Sequence, residues 1–243
     1  MSAAATPTTG ARRRAVLARV AERVPDPTRL GRPVRVGVDG TDGAGKTWFA
    51  DELADVLRTG GTEVVRVSID GFHRPRSQRY ARGADSPEGY FLDSYDLDRF
   101  RADVLDPFAP DGSCEYRTAA HDVRTDEALD PPRLRAGRRC VLLVDGIFLH
   151  RDELVDAWDL SVYLAVPTAV TYARMAVRDG CPADPADPAN RRYVQGQRLY
   201  DERCAPAARA HLVVDNTDLA APTLRPDDER PALEGRAFGV WGG

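Results

Sequence analysis

The sequence predicts an α/β fold: a five-stranded, mainly parallel sheet with helices on both faces. Three observations predict it. Five short apolar segments (34–39, 63–70, 139–146, 160–166 and 211–216) alternate with segments of helical periodicity, the pattern of successive strand–helix–strand units. The apolar runs are nearly continuous, as in VLLV at 141–144, which suits strands covered on both sides. Several of them stop on an acid: Asp39, Asp70 and Asp145. Ligands of open parallel sheets bind beyond the carboxyl ends of the strands, so the pattern predicts one rim that gathers these carboxylates.

Taken in order, residues 1–10 have the composition of a disordered start, and 11–24 read as a helix with Val16, Leu17, Val20 and Val24 on one face. The acid-free, Arg-rich start superficially suits a transit peptide, but the helical spacing favours a surface helix, and no apolar h-region marks a secretory signal. PDPTRLGRP (25–33) is a linker. The strand at 34–39 leads through GTDGAGKT into a helix with Phe49, Leu53, Val56 and Leu57 on one stripe, stopped by TGG at 59–61. The second strand covers 63–70. Residues 71–94 are loop-like, 95–105 helical, and 106–138 rich in turns and proline. The third strand at 139–146 is followed by a helix around 151–158, in which Trp158 is read as a core residue. A strand at 160–166, a helix over 167–178, the flexible DGCPADPADPAN (179–190), a helix at 193–204 and a strand at 211–216 complete the domain. The tail from Ala220 is expected to be poorly ordered. The expected organisation is a tail and helix over 1–32, a main domain over 33–218 and a C-terminal tail over 219–243. Within the domain, 71–138 would cover a substrate and 179–193 would form a lid.

Composition narrows the function. The chain has 243 residues, 42% apolar and 30% charged, with net charge −4, so it lacks the basic footprint of a nucleic-acid binder. No apolar run approaches a membrane span. Cys114, Cys140, Cys181 and Cys204 are scattered and read as free thiols of a reducing cytoplasm. The 34 basic residues comprise 33 arginines and one lysine, Lys46. That lone ammonium calls for an explanation of its own.

GTDGAGKT supplies it. The segment fits G-x-x-x-x-G-K-[ST] at Gly40, Gly45, Lys46 and Thr47, between a strand and a helix. Glycines let the backbone wrap closely, so that N–H groups point at phosphate oxygens. The following helix adds its positive N-terminal end. A compact ammonium on a flexible stem suits this cradle better than a planar guanidinium. Gly40, Asp42, Gly43, Ala44, Gly45, Lys46, Thr47 and Trp48 are therefore read as nucleotide-binding, with Lys46 bridging the β- and γ-phosphates and Thr47 placing its hydroxyl on Mg²⁺. Asp42 is an anomaly, because an acid repels phosphate, and its side chain is expected to point outward. Asp145 looks like the acid that holds Mg²⁺ directly or through water. Asp70 ends the strand after the first helix, where a small-molecule kinase needs a carboxylate to deprotonate its acceptor. For both acids the alternative is a turn-forming Asp-Gly.

VGVDGTDGAGKT, VSIDGFHRPR, DSPEGYFLDSYD and VLLVDGIFL together resemble the uridine kinase / phosphoribulokinase / pantothenate kinase group of P-loop kinases, nearest its bacterial uridine-kinase-like branch, over about residues 33–218. The resemblance implies a P-loop kinase that uses ATP or GTP with Mg²⁺ and phosphorylates a hydroxyl of a small molecule, a nucleoside 5′-hydroxyl being the leading candidate. It implies Asp70 as the base and His73 near the substrate. Asp93 would meet ribose hydroxyls, and Phe72, Tyr90 and Phe91 could supply the stacking aromatic that a nucleoside pocket needs. The segment from Tyr116 would cover the base, with His121 in an aromatic's usual place. Arg174 and Arg178 would approach the phosphates from the lid side, so that Arg178 joins Lys46 and Asp70 as catalytic. An ordinary solvated helix face is the alternative for the two arginines, and a structural role for the two histidines. The lid departs from the group: it is acidic and Pro-rich, and only Arg191 and Arg192 follow it. Pantothenate or another alcohol is the rival acceptor. A guanine-nucleotide switch is the rival of another class, but the N-K-x-D signature is missing. An inactive relative is opposed by intact Lys46, Thr47, Asp70 and Asp145. Neither nucleic acid nor membrane is expected as a partner, and a homo-oligomer is left open.

Overall fold

Alternate positions of the strand Cys140–Gly146 feed two different cores, which is why it shows no polar alternation. Val141 and Leu143 pack with Val34, Val36, Val38, Phe49 and Leu53, whereas Cys140, Leu142 and Val144 join Phe72, Phe100, Phe148 and Trp158. The computed structural model describes residues 10–226, and the expectations for 1–9 and 227–243 fall outside it. The principal strands are β1 (Val34–Gly40), β2 (Glu63–Ser68), β3 (Cys140–Gly146), β4 (Leu160–Ala165), β5 (Leu212–Asp215) and β6 (Thr223–Leu224). The principal helices are α1 (Ala11–Ala21), α2 (Lys46–Thr59), α3 (Pro87–Asp93), α4 (Thr168–Asp179) and α5 (Arg191–Cys204).

The sheet runs β6-β5-β4-β1-β3-β2. β1 to β5 are parallel, and β6 is antiparallel to β5. The five expected strands are present, and a sixth corrects the expectation. β6 lies in the stretch read as a tail, where two residues are too few to show a period, and pairs Thr223 with Asp215 and Leu224 with Val214. α1 buries Val16, Leu17 and Val20 in the core that holds α2.

Other elements differ in extent. β2 ends at Ser68, and Asp70 sits in a 3₁₀ turn, Ile69–Phe72, where the Ser68 hydroxyl accepts from Asp70 N. The loop-like 71–94 contains a helical turn at Arg76–Arg79 and the helix α3. Pro87 opens α3, and the Ser86 hydroxyl accepts from Gly89 N, a cap that makes a short helix viable. The expected helix over 95–105 begins at Leu97, because Tyr95 is paired in an extended bridge with His73. The helix around 151–158 reduces to one 3₁₀ turn, Val155–Ala157. Trp158 is buried as expected, its ring against Gly37 and its Nε1 donating to Leu149 O at 2.9 Å. The 106–138 stretch holds two small antiparallel pairs, Glu115–Tyr116 with Leu134–Arg135 and His121–Asp122 with Glu127–Ala128. No helix among the described residues is long and apolar enough to cross a membrane.

Candidate active site

The chain turns from β1 into α2 through backbone shapes that favour glycine. Gly43 has φ +75° and Gly45, at the N-cap of α2, has φ +88°, a region L-residues avoid. A Cβ on Gly43 would also lie 2.6 Å from Thr171 O. The loop is braced from outside. Asn216 Nδ2 donates to Ala44 O at 2.7 Å, and Arg174 donates to Gly43 O, Asn216 O and Thr217 O. Arg13 of α1 donates to Asn216 Oδ1 and Leu219 O. Lys46 Nζ rests on Thr41 O at 2.9 Å and lies 4.0 Å from Asp42. Asp42 is partly turned back rather than wholly outward: its carboxylate accepts from Tyr90 OH of α3. Burial, helped by Asp42, holds the Tyr90 phenol well above its usual pKa, so Tyr90 stays a donor. The acid in the loop thus ties the cradle to α3.

At the foot of the loop, Thr47 Oγ1 donates to Asp145 Oδ2 at 2.7 Å. The other oxygen, Oδ1, accepts from Arg66 Nη2 at 2.9 Å. Arg66 also donates to Leu143 O and Asp51 Oδ1. A hydroxyl and a carboxylate in contact are hard oxygen donors that fit Mg²⁺, which takes few protein ligands and completes its shell with phosphate oxygens and water. Among the described residues no group of three His, Cys, Asp or Glu is arranged to hold a metal.

The position of Asp70 follows from register. Ser68 of β2 pairs with Asp145 of β3, and Asp70 lies two residues further along, exposed at the tip. Its Oδ1 accepts from Tyr95 OH at 2.8 Å. His73 Nδ1 is 2.8 Å from Asp70 O. Burial pushes the His73 imidazole below its usual pKa, so the neutral ring donates to that carbonyl from Nδ1. A Cβ on Gly71 would lie 2.6 Å from Thr118 O, and Ala120 N donates to Gly71 O at 2.7 Å. The segment 118–120 therefore roofs the turn that carries Asp70.

No protein-family model matches the chain. A uridine kinase of Leuconostoc citreum (strain KM20) is 24% identical over 161 residues, spanning 61% of this chain and 69% of that protein. A solved structure of a possible uridine kinase from Bacillus stearothermophilus superposes with a TM-score of 0.63 at 22% identity, covering 84% of this chain and 98% of that one. Phosphoribulokinase from Rhodobacter spheroides superposes with a TM-score of 0.56 at 16% identity, over 76% and 70% of the two chains. The chain is thus similar in sequence to uridine kinases and shares its fold with solved structures of a possible uridine kinase and a phosphoribulokinase.

The remaining residues implied by the group resemblance lie in mixed surroundings. Cradle, metal corner and Asp70 share one edge of the sheet. Trp48 stands beside the cradle with 57% of its surface exposed. Asp39, expected on the rim, is fully buried. Its carboxylate accepts from Gly40 N, from His150 Nδ1 at 2.7 Å and from Tyr200 OH, so it anchors the start of the loop instead of facing a ligand. Phe91 is in the core against Phe148 and Tyr200 and presents no face to the rim. Asp93 pairs with Arg82 at 2.7 Å. His121 is buried, 3.1 Å from Asp126 Oδ1. Arg174 grips the outside of the cradle, as above. Arg178 is exposed and pairs with Asp179, which raises its pKa. In the segment expected to be a lid, Asn190 donates to Pro182 O and Asp184 O. Arg192 is buried, donating to the carbonyls of Arg79, Gly83 and Ala84. It stacks 4.6 Å from the Tyr80 ring. Sequence reasoning missed Arg66, Tyr95, Asn216 and Arg13. The one visible signal was Arg66, a charge inside an apolar strand.

Proposed function

We propose that the protein transfers the γ-phosphoryl group of ATP or GTP to a hydroxyl of a small molecule, with the 5′-hydroxyl of a nucleoside such as uridine or cytidine as the leading acceptor. One observation carries this reading: Thr47 of the cradle touches Asp145, Asp145 is in register with Ser68, and an exposed carboxylate follows two residues later. A nucleotide switch needs only a water-positioning group there, whereas a small-molecule kinase needs a carboxylate to orient and deprotonate its acceptor.

The chain's own groups divide the work. The glycine loop and the start of α2 bind and orient the triphosphate. Lys46 leaves Thr41 O for the β- and γ-phosphates. Thr47 and Asp145 would hold Mg²⁺, which when bound neutralises phosphate charge. Asp70 takes the acceptor proton as the oxygen attacks. Positioning and charge neutralisation supply most of the acceleration.

A second reading, a non-nucleoside alcohol, is favoured by the internal contacts of Phe91, Asp93 and His121. None of the three is free to greet a nucleoside without rearrangement. An ATP-consumption screen over nucleosides, pantothenate and sugar phosphates, run with wild type, Lys46→Ala and Asp70→Asn, separates the readings. We expect one acceptor class to stimulate wild type and both variants to lose that stimulation, with Asp70→Asn still binding ATP. No stimulation by any hydroxyl compound would favour the switch reading.

A further inference from the structure

Asp70 is not held as a free carboxylate. Its Oδ1 accepts from the Tyr95 hydroxyl at 2.8 Å, and among the described residues no donor reaches Oδ2. Tyr95 is itself fixed. Its backbone bridges His73, Arg74 N donates to Ser94 O, Asp96 N donates to Phe72 O, and Arg74 Nε donates to Tyr95 O. The ring is buried and lies 4.5 Å from the His73 ring. His73 bonds the Asp70 carbonyl and so holds the turn that carries the carboxylate.

We propose that Tyr95 is a positioning residue for phosphoryl transfer: its hydroxyl fixes Oδ1 of Asp70, so that Oδ2 alone is presented to the acceptor hydroxyl. The inference rests on the reading of Asp70 as the base. In the step, the acceptor O–H proton passes to Oδ2 while the acceptor oxygen forms its bond to the γ-phosphorus. The bond from that phosphorus to the β–γ bridging oxygen breaks, and its electron pair leaves with the nucleoside diphosphate. A carboxylate free to rotate would offer either oxygen in many orientations. One pinned at Oδ1 offers a single aimed acceptor, and such aiming lowers the barrier without strengthening ground-state binding. Burial, then the neighbouring carboxylate, hold the Tyr95 phenol well above its usual pKa, so it remains a donor throughout.

The test removes the hydroxyl and keeps the ring. Tyr95→Phe is compared with wild type and Asp70→Asn, using the acceptor that stimulates wild type. The expected result is a kcat lower by about tenfold, the worth of one hydrogen bond to a charged group. KM for acceptor and for ATP should stay within about twofold of wild type, at an unchanged unfolding midpoint. A side chain that merely packed would move the midpoint and leave kcat alone. Unchanged kcat in a folded Tyr95→Phe, or a loss confined to KM, overturns the proposal. Should Tyr95→Phe not fold, Tyr95→Met removes the same hydroxyl with a flexible apolar filler, and failure of both to fold shows a purely structural role and also overturns it. Full activity in Asp70→Asn would instead overturn the reading of the base, whatever Tyr95 does.

Discussion

Asp145 shows how a single carboxylate can serve two neighbours. Oδ2 meets Thr47 of the cradle and Oδ1 meets Arg66, while the side chain is 2% exposed. Arg66 is bonded at Nε, Nη1 and Nη2, a planar fork that lysine cannot copy. Arg66→Ala should therefore strand a buried charge and cost about 3 kcal/mol, read as a drop in the urea midpoint at constant slope. Arg66→Lys should recover only part of it. An unchanged midpoint in Arg66→Ala would mean that Asp145 is satisfied by other means. At this scale the sequence was legible where chemistry left a compositional mark. The one lysine among 34 basic residues and the acids at strand tips pointed to the cradle and its edge. Tyr95, Asn216 and Arg13 carried no such mark, because their partners lie 25, 172 and 203 residues away along the chain and no local pattern links them.

Elements bring the rest of the site into contact. α3 and α5 approach so closely that a Cβ on Gly196 would lie 2.5 Å from the Tyr90 ring, and Tyr90 passes that contact on to Asp42 in the cradle. Between α4, α5 and the cradle lies a cavity of about 220 Å³ lined by Thr41, Asp42, Tyr172, Tyr193 and Asp201. Burial, then the Asp39 carboxylate, push Asp201 up to about 6. The folded state thus holds this proton more tightly than the unfolded chain, where aspartate titrates near its usual 3.8. Its stabilising contribution is complete below that value and is lost as pH rises through about 6. Asp201→Asn should then be more stable than wild type at pH near 7.5 by well under about 1 kcal/mol, since the residue is exposed and solvent screens the carboxylate. The gain should shrink toward pH near 4.5 in thermal melts. A gain equal at both pH values would contradict the assignment. α2, α4 and α5 were legible because each has enough turns to show a period. α3, the 3₁₀ turn of Asp70 and β6 were not, since seven, four and two residues are set by caps and tertiary partners rather than by periodicity.

The whole molecule is a sheet whose strand order places β1 between β3 and β4, with β2 at the edge beyond β3. That order brings the cradle after β1, the acid at the tip of β3 and the turn after β2 to one edge. The sequence foretold this edge but not what leans on it. The N-terminal helix reaches the cradle through Arg13 and Asn216, and α5 reaches the loop around residues 79–84 through Arg192. Such long-range braces follow from packing, which no single stretch of chain encodes. The most direct measurement is a crystal structure with Mg²⁺, a non-hydrolysable ATP analogue and the acceptor that stimulates turnover. It should show Lys46 moved from Thr41 O to the β- and γ-phosphates, the metal on Thr47, and the acceptor hydroxyl within roughly 3 Å of both Asp70 Oδ2 and the γ-phosphorus. An acceptor bound with its hydroxyl remote from Asp70, or a triphosphate seated outside the glycine loop, would contradict the account.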